Sequence, residues 1–522
     1  MKDDFNGIAP GSSLNSRQSS LTIWLDRVII GWLFVMAAAA PHSIAATQIA
    51  WMCGMLVWVA RFVVRPRFFR TPVDYALLCF IFLTVISSFT SYAPAISIGK
   101  LRAAGLFTIV YLVAENIRTR RVLRMLALIL VASCMVNVVF TVVERVVGRG
   151  IKVDGVSETS PLKAALFRGA NGQIARGIQS GDILLEVDGR RLRSLDELVF
   201  ALDARNGSTG PALIRIYRSE WIGTFEMTRG TLPGGSSAIE RLGIGGSSRG
   251  RDWRASGFFG HYVTYAEALL LIGSLAFGLL IATKTRPSLS FFALLLCVAG
   301  FVLALLLTVT RASQLGLLIS GVVIVLAGAQ KRRTVLVMAG CVIPLVLAAS
   351  FVLQQKRHIS FLDSSDGSIS WRTTVWREGF SLLISKPRHL IVGVGMDSIK
   401  VYGCQWGLFD NCRLPIGHMH STPLQIALER GIPALLAFLF LSAIYGRMLL
   451  RLARSGALRS NTDRGIALGA LGGLVGFFVS GLVHYNFGDS EVVMIFFIIM
   501  GLTLSLERQV RLDPFESGEP MG

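Results

Sequence analysis

Apolar stretches long enough to cross a membrane recur from one end of this chain to the other. A helix needs about 20 mostly apolar residues to span a bilayer, and the sequence predicts such spans at 22–40, 44–64, 72–91, 98–116, 123–146, 258–282, 288–308, 313–330, 334–353, 420–444, 465–484 and 490–506. A polar start precedes the first apolar run and shows no cleavable signal sequence, so we expect that run to remain as an anchor. The pattern predicts an all-α polytopic membrane protein with about 12 transmembrane helices.

The predicted spans set the domain boundaries. We expect a disordered cytoplasmic tail at 1–21, spans one to five at 22–146, spans six to nine at 257–353, spans ten to twelve at 420–506, and a second cytoplasmic tail at 507–522. Two long polar stretches interrupt this series, at 147–256 and 354–419. Loops held on a rigid scaffold often carry function.

The charge distribution agrees with this topology. Only 16% of the residues are charged, whereas soluble domains have about 25%. The net charge is +20, but the basic residues cluster at alternate connections, as the positive-inside rule requires. The clusters contain Arg65, Arg67 and Arg70; Arg118, Arg120, Arg121 and Arg124; Lys284 and Arg286; Lys331, Arg332 and Arg333; and Arg447, Arg451 and Arg454. Both termini are therefore predicted to be cytoplasmic, and nucleic acid is disfavoured as a partner.

The stretch 147–232 has the composition of a small soluble α+β module. Its predicted elements are a hairpin strand at 181–189 ending in Asp-Gly, a short helix capped by Ser194, and strands at 212–218 and 221–228. Residues 175–189 resemble the centre of a PDZ domain, a family in which a peptide C-terminus adds to a sheet edge below a Gly-rich loop.

The PDZ resemblance leaves the peptide groove as an open question. Residues 148–151 can supply the Gly-rich loop, but 163–175 are longer than usual and no first strand is obvious. The Gly- and Ser-rich residues 233–256 predict a flexible linker back to the membrane. The sequence thus predicts a PDZ-like module with a possible peptide or protein partner.

The second polar stretch, 354–419, is predicted to be the catalytic loop on the periplasmic side. Residues 371–379 predict a short surface helix, capped by Ser370 and ended by Pro387, and residues 393–395 predict a tight turn. Cys404 and Cys412 lie outside the cytoplasm in this topology, where a disulfide is the expected state. Zinc ligation is the alternative, but the spacing of its candidate ligands matches no compact zinc module. These ligands are Cys404, Cys412, Asp410, His418 and His420.

Cationic and titratable residues near the outer ends of the spans suggest chemistry on an anionic lipid. Arg311, Arg372 and Arg377 can hold phosphate oxygens through their planar forks, and His420 is placed to deprotonate an incoming hydroxyl. Anchoring of the arginines at lipid headgroups is the alternative. The further substrate-binding candidates are His418, Arg254, His261, Asn486 and Asp489.

Taken in order, these motifs resemble the O-antigen ligase and polymerase superfamily of membrane glycosyltransferases. The matching pieces are 254–261, 310–313, 372–376, 393–395, 420–431 and 486–489. The resemblance implies transfer of a glycan from a polyprenyl-diphosphate carrier to a hydroxyl of lipid A core, a growing glycan or a protein. It implies a bacterial inner-membrane enzyme without a cofactor, a nucleotide sugar or a required metal. The resemblance places Arg311 and Arg372 at the positions of the family's diphosphate-binding arginines. It places His420 at the position of the histidine by which ligases activate the acceptor.

Two features depart from the ligase pattern. Ala434 stands where that pattern usually has Gly, Thr or Tyr, and the PDZ-like insert lies outside the usual core. A ligase is the first interpretation, with a polymerase or a protein O-oligosaccharyltransferase as alternatives. A transporter of the same lipid would place its polar groups at mid-membrane, and a catalytically inactive scaffold would leave the arginine and histidine motifs unexplained.

Overall fold

Helices make up most of the described chain, which comprises residues 11–66, 68–168, 174–203, 210–218, 221–251, 253–283, 288–328, 367–458 and 460–512 of a computed structural model. In chain order the helices are α1 (Gly11–Ala39), α2 (Ile44–Val64), α3 (Asp74–Phe89), α4 (Pro94–Ala104), α5 (Thr108–Asn116), α6 (Arg120–Val147), α7 (Leu195–Leu202), α8 (Ala238–Leu242), α9 (Tyr262–Ala282), α10 (Leu289–Thr308), α11 (Arg311–Gly328), α12 (Gly367–Ile384), α13 (Pro387–Val392), α14 (Ser398–Tyr402), α15 (Leu408–Cys412), α16 (Thr422–Arg454), α17 (Asn461–Gly481) and α18 (Ser490–Leu512).

These helices confirm a multi-pass membrane protein. Among the described residues, ten helical stretches are long and apolar enough to cross a membrane, and α3 is a shorter apolar helix. Together they cover every predicted span except 334–353, which lies outside the described residues. The chain divides into two units, Val139–Ala255 and the remainder. The division confirms that a separate module interrupts the membrane helices.

Several predicted ends need correction. Helix α1 begins at Gly11 and α18 continues to Leu512, so the predicted tails 1–21 and 507–522 are partly helical. Once a stable apolar helix exists, each added residue gains a backbone hydrogen bond at little further entropy cost, and the helix propagates into polar sequence. The predicted span 98–116 starts earlier, at Pro94, and a 3-10 turn at Gly105–Phe107 interrupts it.

Glycines let the central membrane helices approach closely. A Cβ added at Gly469 of α17 would lie 2.5 Å from the Cα of Leu275 in α9, and one at Gly278 would lie 2.3 Å from the backbone nitrogen of Gly469. Further along α17, a Cβ at Gly476 would lie 2.8 Å from the carbonyl oxygen of Gly316 in α11. Small residues at such spacing bring backbones into van der Waals contact, which drives helix association in lipid.

A buried ion pair joins α6 to α17. Asp463 is fully buried, and its two carboxylate oxygens accept hydrogen bonds from Nε (2.7 Å) and Nη2 (2.8 Å) of Arg124. A carboxylate removed from water needs such compensation. The bidentate geometry therefore fixes the relative position of these two helix ends.

The unit Val139–Ala255 contains an antiparallel sheet. Its strands are β1 (Ile151–Val156), β2 (Leu166–Arg168), β3 (Ile174–Arg176), β4 (Ile183–Val187), β5 (Arg190–Arg191), β6 (Ala212–Arg218), β7 (Trp221–Met227) and β8 (Ile244–Arg249). The eight strands follow the order β3-β2-β7-β6-β4-β1-β8, with β5 paired to β4. Inward-facing apolar residues of the strands pack with α7 into a separate core.

Local sequence signals in this unit are confirmed. Asp188 and Gly189 both have positive φ between β4 and β5, which is the backbone that an Asp-Gly hairpin turn requires. Ser194 caps α7 by accepting a hydrogen bond from the Glu197 N–H at 3.3 Å. The strand β1, which the sequence did not reveal, follows the Gly-rich residues 148–150.

The predicted flexible linker 233–256 is wrong as a description of this segment. It contains α8 and β8, and β8 is a strand of the sheet, paired along β1. Glycine and serine have short side chains that bury little surface, so the sequence of this segment predicts a mobile chain. The backbone nevertheless finds hydrogen-bonding partners on a neighbouring strand, which no local pattern reveals.

The glycine contacts generate a stability prediction. We expect Gly469→Ala to destabilise the protein by roughly 1–3 kcal/mol, because its Cβ meets the backbone of α9 and the helices must separate. Gly31→Ala in α1 is the matched control, since a Cβ there has nothing within 4 Å and the change should leave stability unchanged or slightly raised. Thermal unfolding in detergent measures both. Equal unfolding temperatures for the two variants would contradict close packing at Gly469.

Candidate active site

A cavity of about 560 Å³ lies within the helical unit. Part of its wall is apolar and comes from the interior of membrane helices, with Leu77, Phe80, Phe438, Tyr445, Phe496 and Met500 among its residues. Another part is polar and comes from helix ends and from the second loop. It contains the cations Lys100, Arg372, Lys400 and Arg430, the imidazoles of His418 and His420, and the carboxylates of Glu267, Asp397, Glu429, Asp489 and Glu491. The cavity therefore joins an apolar region to a polar region that carries charges of both signs.

Two imidazoles form the centre of the polar wall. The ring centroids of His418 and His420 lie 4.0 Å apart, and Trp371 of α12 meets His420 edge-on at 4.4 Å. The Trp376 indole N–H donates to the carbonyl oxygen of Met419 at 2.8 Å, between the two histidines. Helix α12 thus holds the histidine segment in place through its tryptophans.

Both imidazoles are held in the neutral form. Burial, reinforced by Lys400 and by nearby histidines, lowers the pKa of His418 to about 4. Burial, followed by the charges of His418 and Arg372, lowers the pKa of His420 to about 2. A neutral imidazole can accept a proton from a hydroxyl, which a protonated one cannot.

A break in α16 gives the second loop a place to bind to the membrane helices. Gly431 has φ of 84° inside α16, so the helix is interrupted there and upstream carbonyls lose their usual partners. The N–H groups of Val394 and Gly395 donate to the carbonyl oxygens of Leu428 and Glu429, both at 2.9 Å. A Cβ at Gly431 would lie 2.2 Å from the Ile391 carbonyl oxygen, which explains the glycine.

A lysine pair that sequence reasoning missed borders the same cavity. Lys100 and Lys400 donate to the two carboxylate oxygens of Asp397 at 2.7 Å and 3.0 Å. Burial would raise the pKa of Asp397, but the hydrogen bonds from both lysines outweigh it and hold that pKa below its usual value. The lysines lie 300 positions apart in the chain, so no local motif joins them. Two ammonium groups thus meet on one carboxylate at the cavity wall.

Glu267 of α9 is a second residue that the sequence did not single out. It is 1% exposed within a membrane span, and it accepts hydrogen bonds from Ser313 Oγ (3.0 Å) and Asn486 Nδ2 (3.3 Å). His484 Nδ1 lies 3.1 Å from Oε1, the same oxygen that accepts from Ser313. A buried ionisable group in a span commonly marks a functional site. Here it ties α9 and α11 to the turn before α18.

The network around Glu267 reaches the start of α16. Asn486 accepts a hydrogen bond from Thr422 Oγ1 at 2.8 Å, and the Thr422 N–H donates to the His484 carbonyl oxygen at 3.0 Å. Thr422 follows His420 by two positions. The network therefore orients the histidine segment from the membrane side, while α12 holds it from the other.

The structure brings most of the predicted site residues to one cavity. The predicted residues that line it are Arg372, His418, His420, His261, Asn486 and Asp489. Arg311 is the first residue of α11, and Arg377 lies in α12; neither is among the described residues that line the cavity. Arg254 belongs to the unit Val139–Ala255. The binding roles of these three arginines stay predictions.

The second loop differs from its prediction in detail. Ser370 does not cap the surface helix, because α12 already includes it, and Pro387 begins α13 instead of ending α12. Proline at a first helical position sacrifices no hydrogen bond, which allows the new start. The disulfide between Cys404 and Cys412 is confirmed, with Cα atoms 5.4 Å apart. It closes the segment that joins α14 to α15.

Comparison with known families gives one match. A family model described as O-antigen ligase matches residues 292–439, a range that contains Arg311, Arg372 and His420. The match supports placement in the O-antigen ligase superfamily and covers the middle of the range in which the sequence motifs resemble it. A search of curated proteins finds no match.

The charges around His420 predict how its titration responds to mutation. Arg372→Gln should raise the pKa of His420, because removing a nearby positive charge makes the imidazolium less unfavourable. The matched control is Arg413→Gln, since Arg413 lies in the same loop with its side chain 80% exposed. NMR of ¹³C-labelled histidine, assigned with His420→Gln, measures the titration. A wild-type His420 that titrates near pH 6.5 would contradict the assigned environment.

Proposed function

We propose that this protein is an inner-membrane glycosyltransferase that moves a glycan from a polyprenyl-diphosphate carrier to an acceptor hydroxyl at the periplasmic face. The match to an O-antigen ligase model over residues 292–439 supports the reaction class. The observation that carries the proposal is the cavity itself, which joins an apolar wall inside the membrane helices to a polar wall where Arg372, Lys100 and Lys400 lie near neutral imidazoles. A lipid diphosphate has the same two-part chemistry.

The cations of the polar wall are proposed to bind the diphosphate. Arg372 can bind phosphate oxygens through its planar guanidinium. Lys100 and Lys400 add point charges, because each ammonium group can bond to the diphosphate as well as to Asp397. Arg311 is proposed to contribute from the start of α11, as the family resemblance implies. These cations stabilise negative charge on the leaving group without a metal ion, so we propose a metal-independent reaction.

His420 is proposed as the base. As the acceptor oxygen bonds to the anomeric carbon, its proton passes to the neutral imidazole, and the glycosyl C–O bond breaks with its electron pair leaving on the polyprenyl diphosphate. A pKa of about 2 is too low for His420 to be an efficient base by itself. A bound diphosphate places negative charge beside the ring, which raises that pKa toward the operating pH. Donor binding thereby activates the base.

The acceptor is proposed to be lipid A core, which would make the protein a ligase. Elongation of a glycan or transfer to a protein hydroxyl would use the same donor site and the same base. The unit Val139–Ala255 is proposed to be a PDZ-like periplasmic domain that engages a protein or peptide. Its sheet, its Asp-Gly hairpin and its Ser-capped helix support that assignment.

Transfer in proteoliposomes tests the proposal. With polyprenyl-diphosphate oligosaccharide as donor and lipid A core as acceptor, His420→Gln should lower kcat by about 10²–10⁴-fold, the range for losing a general base. Arg372→Gln should lower kcat/KM by about 10²–10³-fold through lost charge stabilisation. Arg413→Gln, exposed in the same loop, should stay within a few-fold of wild type.

The products separate the outcomes. Modified lipid A core identifies a ligase, and lengthened donor without core modification identifies a polymerase. A folded wild-type protein that transfers glycan to no hydroxyl and instead moves the carrier lipid between leaflets is the third outcome. That result would contradict a glycosyltransferase and identify a transporter.

A further inference from the structure

The edge of β1 in the unit Val139–Ala255 is occupied by the chain itself. Strand β1 pairs with β4 on one side and with β8 on the other, both antiparallel. The register against β8 joins Ile151 to Arg249, Lys152 to Ser248 and Asp154 to Gly246. An extended segment thus lies along the strand that directly follows the Gly-rich residues 148–150.

The β8 segment is held chiefly by its backbone. Its six residues include two glycines and two serines, which are weak strand formers. Ile244 is its one buried residue, at 6% exposure, and it packs in the same core as Ile151 and Val153 of β1. A strand with so little side-chain burial depends on ladder hydrogen bonds, and a competing backbone can replace those bonds.

The Gly-rich loop closes onto the end of this segment. Gly148 and Gly150 have φ of 83° and 68°, the left-handed backbone that favours glycine. Between them, the Arg149 N–H donates to the Gly250 carbonyl oxygen at 2.8 Å, and the Gly250 N–H donates to the Gly150 carbonyl oxygen at 3.2 Å. The loop therefore offers an N–H to the oxygen at the end of the segment, where a chain terminus would present its carboxylate.

Space for a ligand side chain lies beside β8. A hollow of about 470 Å³ is bordered by Ser194 and Leu195 at the start of α7, by Ile239 of α8, and by Ser247 and Arg249 of β8. The side chains of β8 on this wall are short, apart from Arg249, and leave the hollow open. A peptide with larger side chains would gain contacts there that Gly-Gly-Ser-Ser cannot make.

We propose that residues 244–250 are a built-in occupant of a peptide-binding sheet edge, and that an extended peptide with a free C-terminal carboxylate binds by displacing them. This inference rests on the peptide-binding role proposed above for the unit. The incoming peptide pairs antiparallel with β1 and places its carboxylate on the Arg149 N–H. Binding is therefore weak while β8 is in place, because only the fraction of molecules with an open edge is competent. No bond is made or broken apart from hydrogen bonds.

The hydrogen-bond alternation along β1 tells which residues of β8 hold the segment. The Val153 N–H donates to the Asp182 carbonyl oxygen at 2.9 Å, on the β4 side. In an antiparallel ladder, neighbouring residues point their backbone groups to opposite sides, so Lys152 faces β8 and its partner Ser248 faces β1. The N–H of Ser247 then points away from β1.

Proline substitutions at these two positions form a matched pair. Ser248→Pro removes a ladder donor and should open the edge, whereas Ser247→Pro removes an N–H that faces away and is tolerated on an edge strand. The full-length protein in nanodiscs is titrated with fluorescent Ile-Gly-Gly-Ser-Ser-Arg-Gly carrying a free carboxylate, the sequence of residues 244–250. We expect Ser248→Pro to bind this peptide at least 10-fold more tightly than wild type, and Ser247→Pro to bind like wild type.

The peptide with a C-terminal amide tests the carboxylate. It should bind Ser248→Pro about 10-fold more weakly than the free acid, because it lacks the charge that Arg149 N–H receives. Equal affinity of wild type and Ser248→Pro for the free acid would overturn the proposal, and so would equal affinity of Ser248→Pro for acid and amide.

Hydrogen exchange of the wild-type protein decides the matter if Ser248→Pro does not fold. Amides of β8 that face β1 should exchange at least 10-fold faster than those of β4, because displacement of β8 leaves the rest of the sheet paired. Exchange of β8 as slow as that of β4 would mean that the segment is a permanent part of the sheet. That result would overturn displacement by a peptide.

Discussion

The helical unit depends on one pair of backbone hydrogen bonds at the break in α16. Interrupting a membrane helix leaves carbonyls without partners, and such groups are expensive where water is scarce. Val394 and Gly395 supply the missing donors to Leu428 and Glu429. The second loop is thereby fastened to a membrane helix at the level of the cavity. Glycine at 431 makes the break possible, because its φ of 84° is strained for other residues.

The attachment of the second loop to α16 brings its charged residues next to apolar membrane helices, where charged groups are unfavourable. Histidines, lysines, two arginines and several carboxylates share one cavity with apolar side chains of the membrane helices. Burial lowers the pKa values of His418 and His420, so both imidazoles are neutral. In the function that we propose, a diphosphate bound beside these imidazoles raises the pKa of His420 and so activates the base.

The unit Val139–Ala255 shows a related use of unsatisfied backbone. The edge of β1 offers a row of donors and acceptors, and an open edge invites pairing with other chains. Residues 244–250 cover it with a segment that has few side-chain contacts of its own. In the displacement that we propose, this cover protects the edge from unwanted partners and gives way to a suitable peptide.

Membrane spans, the separate module and local caps could be predicted from the sequence, because each depends on neighbouring residues. Apolar runs predicted the membrane helices, Asp188-Gly189 predicted a hairpin turn, and Ser194 predicted the start of a helix. Among the candidate site residues, His420 and Arg372 were found because motifs surround them. Their convergence on one cavity with His261 and Asn486 follows from the helix packing and could only be expected in outline.

Other features were decided only by tertiary structure. Lys100 and Lys400 meet on Asp397 although the lysines are 300 positions apart, and Glu267 lies in an apolar run that resembles any other span. The Gly- and Ser-rich residues near 246 looked like a mobile linker, yet their backbone completes a sheet. In each case the deciding interaction joins groups that are distant in the chain, and its strength comes from burial and from hydrogen-bonding partners that local sequence does not contain.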